Sequence, residues 1–221
     1  MNIFFDGYKI KENKLDNEDI ILDFLNILNF KIFDNKGKIT IVPYFNGKVR
    51  KMGGISATIL GDNFHFTCHT FCYLGTVFID YYGHDINEEI LIKMILSYFP
   101  TSDYDLCKNN NDIKGNFGKQ IIINCDECLN FEDGKALISK ILKSIEMTAI
   151  YDLMINYKNE ENFDLLQLIA ESHIAIHKKE QYVRIDVFSC KDFDESKIFK
   201  LLKNTKNNLK IINRGIYFKL D

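Results

Sequence analysis

Apolar and polar positions alternate with a period of two through most of the first eighty residues, and a period near 3.6 interrupts them once. The alternation predicts a strand over residues 3–9 and four short strands over 38–45, 55–60, 64–70 and 76–82. Between the first two, residues 16–28 carry Ile20, Ile21, Phe24, Leu25 and Leu28 on one helical stripe. A second helix is predicted over 87–98, with Asn87 as N-cap and Pro100 just beyond its end. Residues 101–117 are polar and include three consecutive asparagines, Asn109 to Asn111. The domain boundary is placed there, giving half-domains 1–104 and 117–221 joined by a linker, 105–116.

The order then repeats: a strand over 120–125, a helix over 132–145, strands over 149–157, 165–170, 172–177 and 182–188, and a helix over 194–202. A final hairpin is predicted from 209–212 and 215–218. Residues support the repeat. Phe64-His65-Phe66-Thr67-Cys68-His69 precedes Ile79-Asp80, and Ser172-His173-Ile174-Ala175-Ile176-His177 precedes Ile185-Asp186. Each is an H-x-x-x-H strand followed by a hairpin partner, with His65 and His173 standing 108 positions apart. All five histidines fall in these segments or just after them. An internal duplication is the economical explanation.

Composition narrows the class. The net charge is −3 and the 28 Lys and Arg are interspersed with the acids, so no basic face points to nucleic acid. No apolar run reaches the roughly 18 residues of a membrane span, and the N-terminus lacks a signal-peptide pattern. A cytoplasmic protein is expected, with its six cysteines as thiols. No metal is expected, because Cys125-x-x-Cys128 has no second pair at matching spacing: Cys68 and Cys72 are separated by three residues.

At Glu171-Ser172-His173, with His177 five residues after the serine and Cys190 closing the next strand, the chain resembles the S-adenosylmethionine decarboxylase proenzymes. The resemblance implies an α+β fold of two antiparallel sheets packed face to face with helices outside, here a fused tandem of half-domains. It implies cleavage between Glu171 and Ser172, leaving a pyruvoyl group on 172–221 as cofactor, with Cys190 as the acid that reprotonates the substrate carbon. Strand alternation puts Ser172 on the face of Ile174 and Ile176, away from His173 and His177. A histidine that serves Ser172 is therefore expected from the other half.

The halves differ in a complementary way. The first has Phe64 at the nucleophile position and His84 near the cysteine position, but keeps His69 and, thirteen residues earlier, Ser56. The second has Asp164 at the position of Ser56 and keeps Ser172 and Cys190. One complete set follows: Ser56, His69, Ser172 and Cys190. Where the family holds the nucleoside, this chain has Arg50, Tyr73 and Glu127, of which only Glu127 keeps the family's residue type. Those three and Glu171 are the candidate substrate contacts. The expected substrate is S-adenosylmethionine, for polyamine and spermidine synthesis; arginine or ornithine are the alternatives. The rival of another class is a non-catalytic regulator, against which the intact Glu171-Ser172-His173 run argues. The expected partner is a small amino-acid substrate, with no nucleic acid and no membrane, on a self-contained pseudo-dimer open to further homo-oligomerisation.

Overall fold

The structure, a computed structural model, describes residues 1–44, 53–108, 115, 117–126, 129–170, 172–202 and 207–215. These fall into two compact units that divide between residues 108 and 115. The first unit contains β1 (Asn2–Gly7), α1 (Glu12–Leu15), α2 (Glu18–Lys31), β2 (Lys38–Tyr44), β3 (Gly54–Gly61), β4 (Phe64–Phe71), β5 (Thr76–Tyr82), α3 (Glu88–Tyr98) and β6 (Tyr104–Lys108). The second contains β7 (Gly118–Asp126), α4 (Phe131–Ser144), β8 (Met154–Asn159), β9 (Asn162–Ile169), β10 (Ser172–Lys179), β11 (Tyr182–Ser189), α5 (Glu195–Leu201) and β12 (Asn207–Arg214).

Each unit is one six-stranded sheet, and every strand pairing is antiparallel. The spatial orders are β2-β3-β4-β5-β1-β6 and, in the second unit, β12-β7-β11-β10-β9-β8. Read from the opposite edge, the second order is the first one strand for strand. The duplication seen in the H-x-x-x-H strands therefore extends to topology, and the fold class is α+β.

Local chemistry sets the helices. Asn17 accepts from the backbone N–H groups of Asp19 and Ile20, Asn87 from Ile90, Asn130 from Asp133 and Asp194 from Ser196. Side-chain caps of this kind satisfy amide groups that have no partner in the first turn. Helix α2 buries Ile21, Phe24, Leu25 and Leu28, and α4 buries Leu137, Ile138 and Ile141. In the first unit the helices meet Ile55, Ala57, Ile59, Phe64, Phe66, Cys68, Val77 and Ile79 of the sheet in one apolar core. In the second they meet Ile121, Ile123, Leu165, Ile174, Ile176, Ile185 and Val187.

The alternate positions of the same strands are also buried but polar. They include Asp6, Ser56, Thr58, His65, Thr67, His69 and Asp80 in the first unit, and Gln120, Asp164, His173, His177, Arg184 and Asp186 in the second. An ordinary half-solvated sheet would place such groups in water. Buried polar groups of this kind need hydrogen-bond partners, and several of these pair with one another across neighbouring strands.

Three sequence expectations shift. The segment read as a linker from residue 105 begins inside β6, which pairs with β1; its one fully buried residue is Cys107. The strand expected over 149–157 starts only at Met154, because Ala149 makes just an isolated bridge to Ile169. The final hairpin is in part the single strand β12, and 216–218 lie outside the described residues. Cys68, Cys72, Cys107, Cys125 and Cys190 are free thiols. Among the described residues no helix is long and apolar enough to cross a membrane, and no three His, Cys, Asp or Glu side chains gather as metal ligands.

Candidate active site

Ser172 is the first residue of β10 and pairs with Ile169, so only Ala170 and Glu171 join β9 to β10. Glu171 itself lies outside the described residues. The equivalent connection in the first unit is the two-residue turn Asp62-Asn63, where Asn63 takes φ 56°. Asparagine tolerates this left-handed conformation. The expected cleavage bond thus ends at the first residue of a buried strand.

The Ser172 side chain is fully buried, and its Oγ accepts the backbone N–H of Cys190 at 3.1 Å. Cys190 follows β11 directly, and its Sγ lies 3.8 Å from the Ala170 carbonyl oxygen. The hairpin register therefore brings the expected nucleophile, the expected acid and the residue before Glu171 to one end of the second sheet. Ser189 closes the far side of the cysteine: its Oγ donates to the Lys191 carbonyl at 2.7 Å and accepts the Lys191 N–H at 3.1 Å. Serine turns of this type fix a loop at small cost.

His173, adjacent to Ser172 in sequence, belongs to the opposite face and is buried. Burial pushes its imidazole down to about 4, against a smaller upward pull from Asp186. It is neutral at pH 7. This depression makes a pH prediction. Between pH 6.5 and 4 the unfolded chain takes up a proton at His173 that the folded chain refuses, so stability present above pH 6.5 is lost as pH falls. The loss from this group reaches about 2 kcal/mol by pH 5. Urea unfolding at pH 7 and pH 5 should show a correspondingly smaller drop in His173→Gln; an equal drop would refute the assignment.

The two processing-type positions are occupied in parallel. In the first unit Ser56 on β3 faces His69 on β4, with Oγ 3.0 Å from Nδ1, both fully buried. In the second unit Asp164 on β9 faces His177 on β10, with Oδ1 2.7 Å from Nδ1. Each pair spans thirteen residues. Asn156 donates to the other oxygen of Asp164 at 3.0 Å, which leaves the carboxylate held from two sides. The backbone beside Ser56 is fixed by Thr70, whose Oγ1 accepts the Ile55 N–H at 2.8 Å and donates to the Leu15 carbonyl at 2.7 Å. Gly54 is required there, since a Cβ would fall 1.6 Å from the Thr70 carbonyl oxygen.

Where the second unit has Ser172 and Cys190, the first has an aromatic plug. Phe64 stacks on Phe33 with centroids 4.7 Å apart and meets the His84 ring edge-on at 5.8 Å. Tyr81 stacks on Phe33 at 5.5 Å and donates to the His84 carbonyl at 2.8 Å. Phe64, at the position of Ser172, has no group that can attack the backbone.

Of the expected substrate contacts, Tyr73 lies in a short 3₁₀ turn, Cys72–Leu74, and is 38% exposed. Arg50 and Glu127 lie outside the described residues, as does Cys128. Sequence reasoning missed a buried polar chain on the second sheet. Arg184 donates to Asp186 at 2.6 Å, Gln120 also donates to Asp186, and Arg214 donates to Gln120 at 2.9 Å while lying over the Phe188 ring at 5.1 Å. The readable signal was Arg184-Ile185-Asp186, two charges at strand spacing inside an apolar run.

Two duplicated α+β units, one of them bearing a buried serine hydrogen-bonded to the backbone of a cysteine, define the class. Residues 119–213 match the family described as S-adenosylmethionine decarboxylase. The match covers a little under half of the chain and lies in its second unit. Among solved structures, the adenosylmethionine decarboxylase from Aquifex aeolicus VF5 is 21% identical, with 48% of this chain and 98% of that chain covered and a TM-score of 0.40. An unknown protein from Galdieria sulphuraria is 8% identical over 97% of both chains, with a TM-score of 0.20. No curated protein matches the chain.

Proposed function

We propose that this chain is a self-processing, pyruvoyl-dependent decarboxylase that cleaves itself between Glu171 and Ser172 and acts on S-adenosylmethionine. The observation that carries the reading is the buried Ser172 Oγ accepting the Cys190 N–H. It joins the residue proposed to become the cofactor to the backbone of the residue proposed to deliver a proton. The match of residues 119–213 to the S-adenosylmethionine decarboxylase family supports the substrate, whose decarboxylated form supplies the aminopropyl group for polyamine synthesis.

The processing chemistry balances on the chain's own atoms. Ser172 Oγ adds to the Glu171 carbonyl carbon, the Glu171–Ser172 amide bond breaks, and the Ser172 nitrogen takes a proton. Removal of the Ser172 α-proton then breaks the Cβ–Oγ bond, and Oγ leaves with Glu171 as its new carboxylate. Water replaces the Ser172 nitrogen, which departs as ammonia. The ketone so formed binds the substrate amine and supplies the electron sink for loss of carbon dioxide. Cys190 holds the proton for the carbon left behind.

The Ser56–His69 pair suits the processing role because an imidazole within hydrogen-bond reach of a hydroxyl can relay a proton. Asp164–His177 is proposed as structural, since Asp164 and Asn156 already fix that pair. His69→Ala should therefore slow self-cleavage at least about 10²-fold. His177→Ala should leave cleavage nearly unchanged and lower stability by about 2–3 kcal/mol, because it strips the buried Asp164 carboxylate of a donor. Timed gels and urea melts read the two effects; equal slowing by both variants would sink the division of roles.

The substrate test is release of carbon dioxide from carboxyl-labelled S-adenosylmethionine, arginine and ornithine, each given alone to processed protein. Turnover of S-adenosylmethionine is expected. Release only from arginine or ornithine would overturn the substrate, and an uncut, inert chain would favour a regulatory role.

A further inference from the structure

Lys119 makes contacts that the proposed chemistry does not use. It sits near the start of β7 and pairs with Ser189, the residue before Cys190. Its ammonium donates to the Phe193 carbonyl at 2.8 Å and to Glu195 at 2.8 Å, and lies 3.1 Å from Asp192. It also lies over the Phe193 ring, 5.4 Å from the centroid. All of these partners belong to the segment that runs from Cys190 into α5. The side chain is only 18% exposed. Burial alone would lower its pKa, but the hydrogen bonds to Glu195 and Asp192 outweigh this and keep it charged. A groove of about 430 Å³, lined by Lys119, Ile145, Lys191 and Phe193 among others, borders the same loop, which therefore has room to shift.

We infer that Lys119 is a positioning residue that holds the Cys190 loop in register after self-cleavage. The inference rests on the pyruvoyl reading. In the uncut chain the Cys190 N–H is held by Ser172 Oγ, and Lys119 holds residues 192–195 of the same loop. Self-cleavage carries Ser172 Oγ away with Glu171, so the first tie is lost as the hydroxyl it depends on disappears. The Lys119 contacts remain, and the loop that bears the acid depends on them during turnover. Loss of Lys119 should consequently spare processing and harm decarboxylation, a split that general destabilisation does not produce.

Two readouts test this. In Ser172→Ala protein, which cannot cut itself and lacks Oγ, Lys119→Met should speed iodoacetamide labelling of Cys190 by about tenfold through local opening. Lys119→Arg should restore the slow rate. In the chain with Ser172 intact, Lys119→Met should be cut within about threefold of the normal rate while kcat falls by about tenfold or more at nearly unchanged KM. Glu195→Gln should move both readouts the same way to a smaller degree, and it serves as the probe should Lys119→Met not fold. Unchanged Cys190 labelling, or equal losses in cleavage and turnover, would overturn the inference. An uncut parent chain would instead overturn the pyruvoyl reading, while the labelling comparison would still decide whether Lys119 holds the loop.

Discussion

Ser172→Ala is expected to remain a single chain of 221 residues indefinitely and to release no carbon dioxide from any substrate. The effect is complete because methyl cannot replace the oxygen in either step. Without Oγ no ester forms at Glu171, and without a Cβ–Oγ bond to break no ketone can arise. The change should be mild in structural terms. Ser172 Oγ accepts one backbone N–H, that of Cys190, and losing such an acceptor costs about 1–3 kcal/mol. A folded, uncut and inactive variant is the expected result by intact mass and thermal melting. Cleavage of Ser172→Ala at the same bond would rule out Ser172 as the nucleophile.

Cys190→Ala is expected to behave differently. The backbone N–H that holds Ser172 Oγ survives the substitution, so self-cleavage should continue. Decarboxylation should fall by about 10²–10⁴, the usual cost of removing a general acid. The thiol is partly exposed at the end of β11 rather than sealed in the core. This differs from Cys68, where burial pushes the thiol far above its ordinary range and leaves it inert. Comparison of cleavage and turnover in one Cys190→Ala preparation reads the split directly. Unimpaired turnover in fully cut Cys190→Ala protein would remove the thiol from the mechanism.

Much of this arrangement could be read from the chain because hairpins translate spacing into contact. Ser56 and His69, and Asp164 and His177, were legible as equivalent pairs, and strand pairing makes each a hydrogen bond. The same alternation put His173 and His177 on the face opposite Ser172. The role of Lys119 was not legible, since its partners Phe193 and Glu195 lie 74 and 76 residues away. Strand β6 was hidden because an edge strand with one fully buried residue shows little apolar periodicity. The aromatic plug of Phe33, Phe64, Tyr81 and His84 depends on ring contacts between the turn after α2, strands β4 and β5, and the residues just past β5, which no local pattern announces. Phe64 itself, as a residue unable to cyclise, was visible from the start.

The central claim is that this chain makes its own cofactor, and intact-mass analysis of the purified wild-type protein tests it most directly. The account predicts two fragments, 1–171 and 172–221, the second lighter by one ammonia than a fragment beginning with serine. A single full-length mass after prolonged incubation would contradict it.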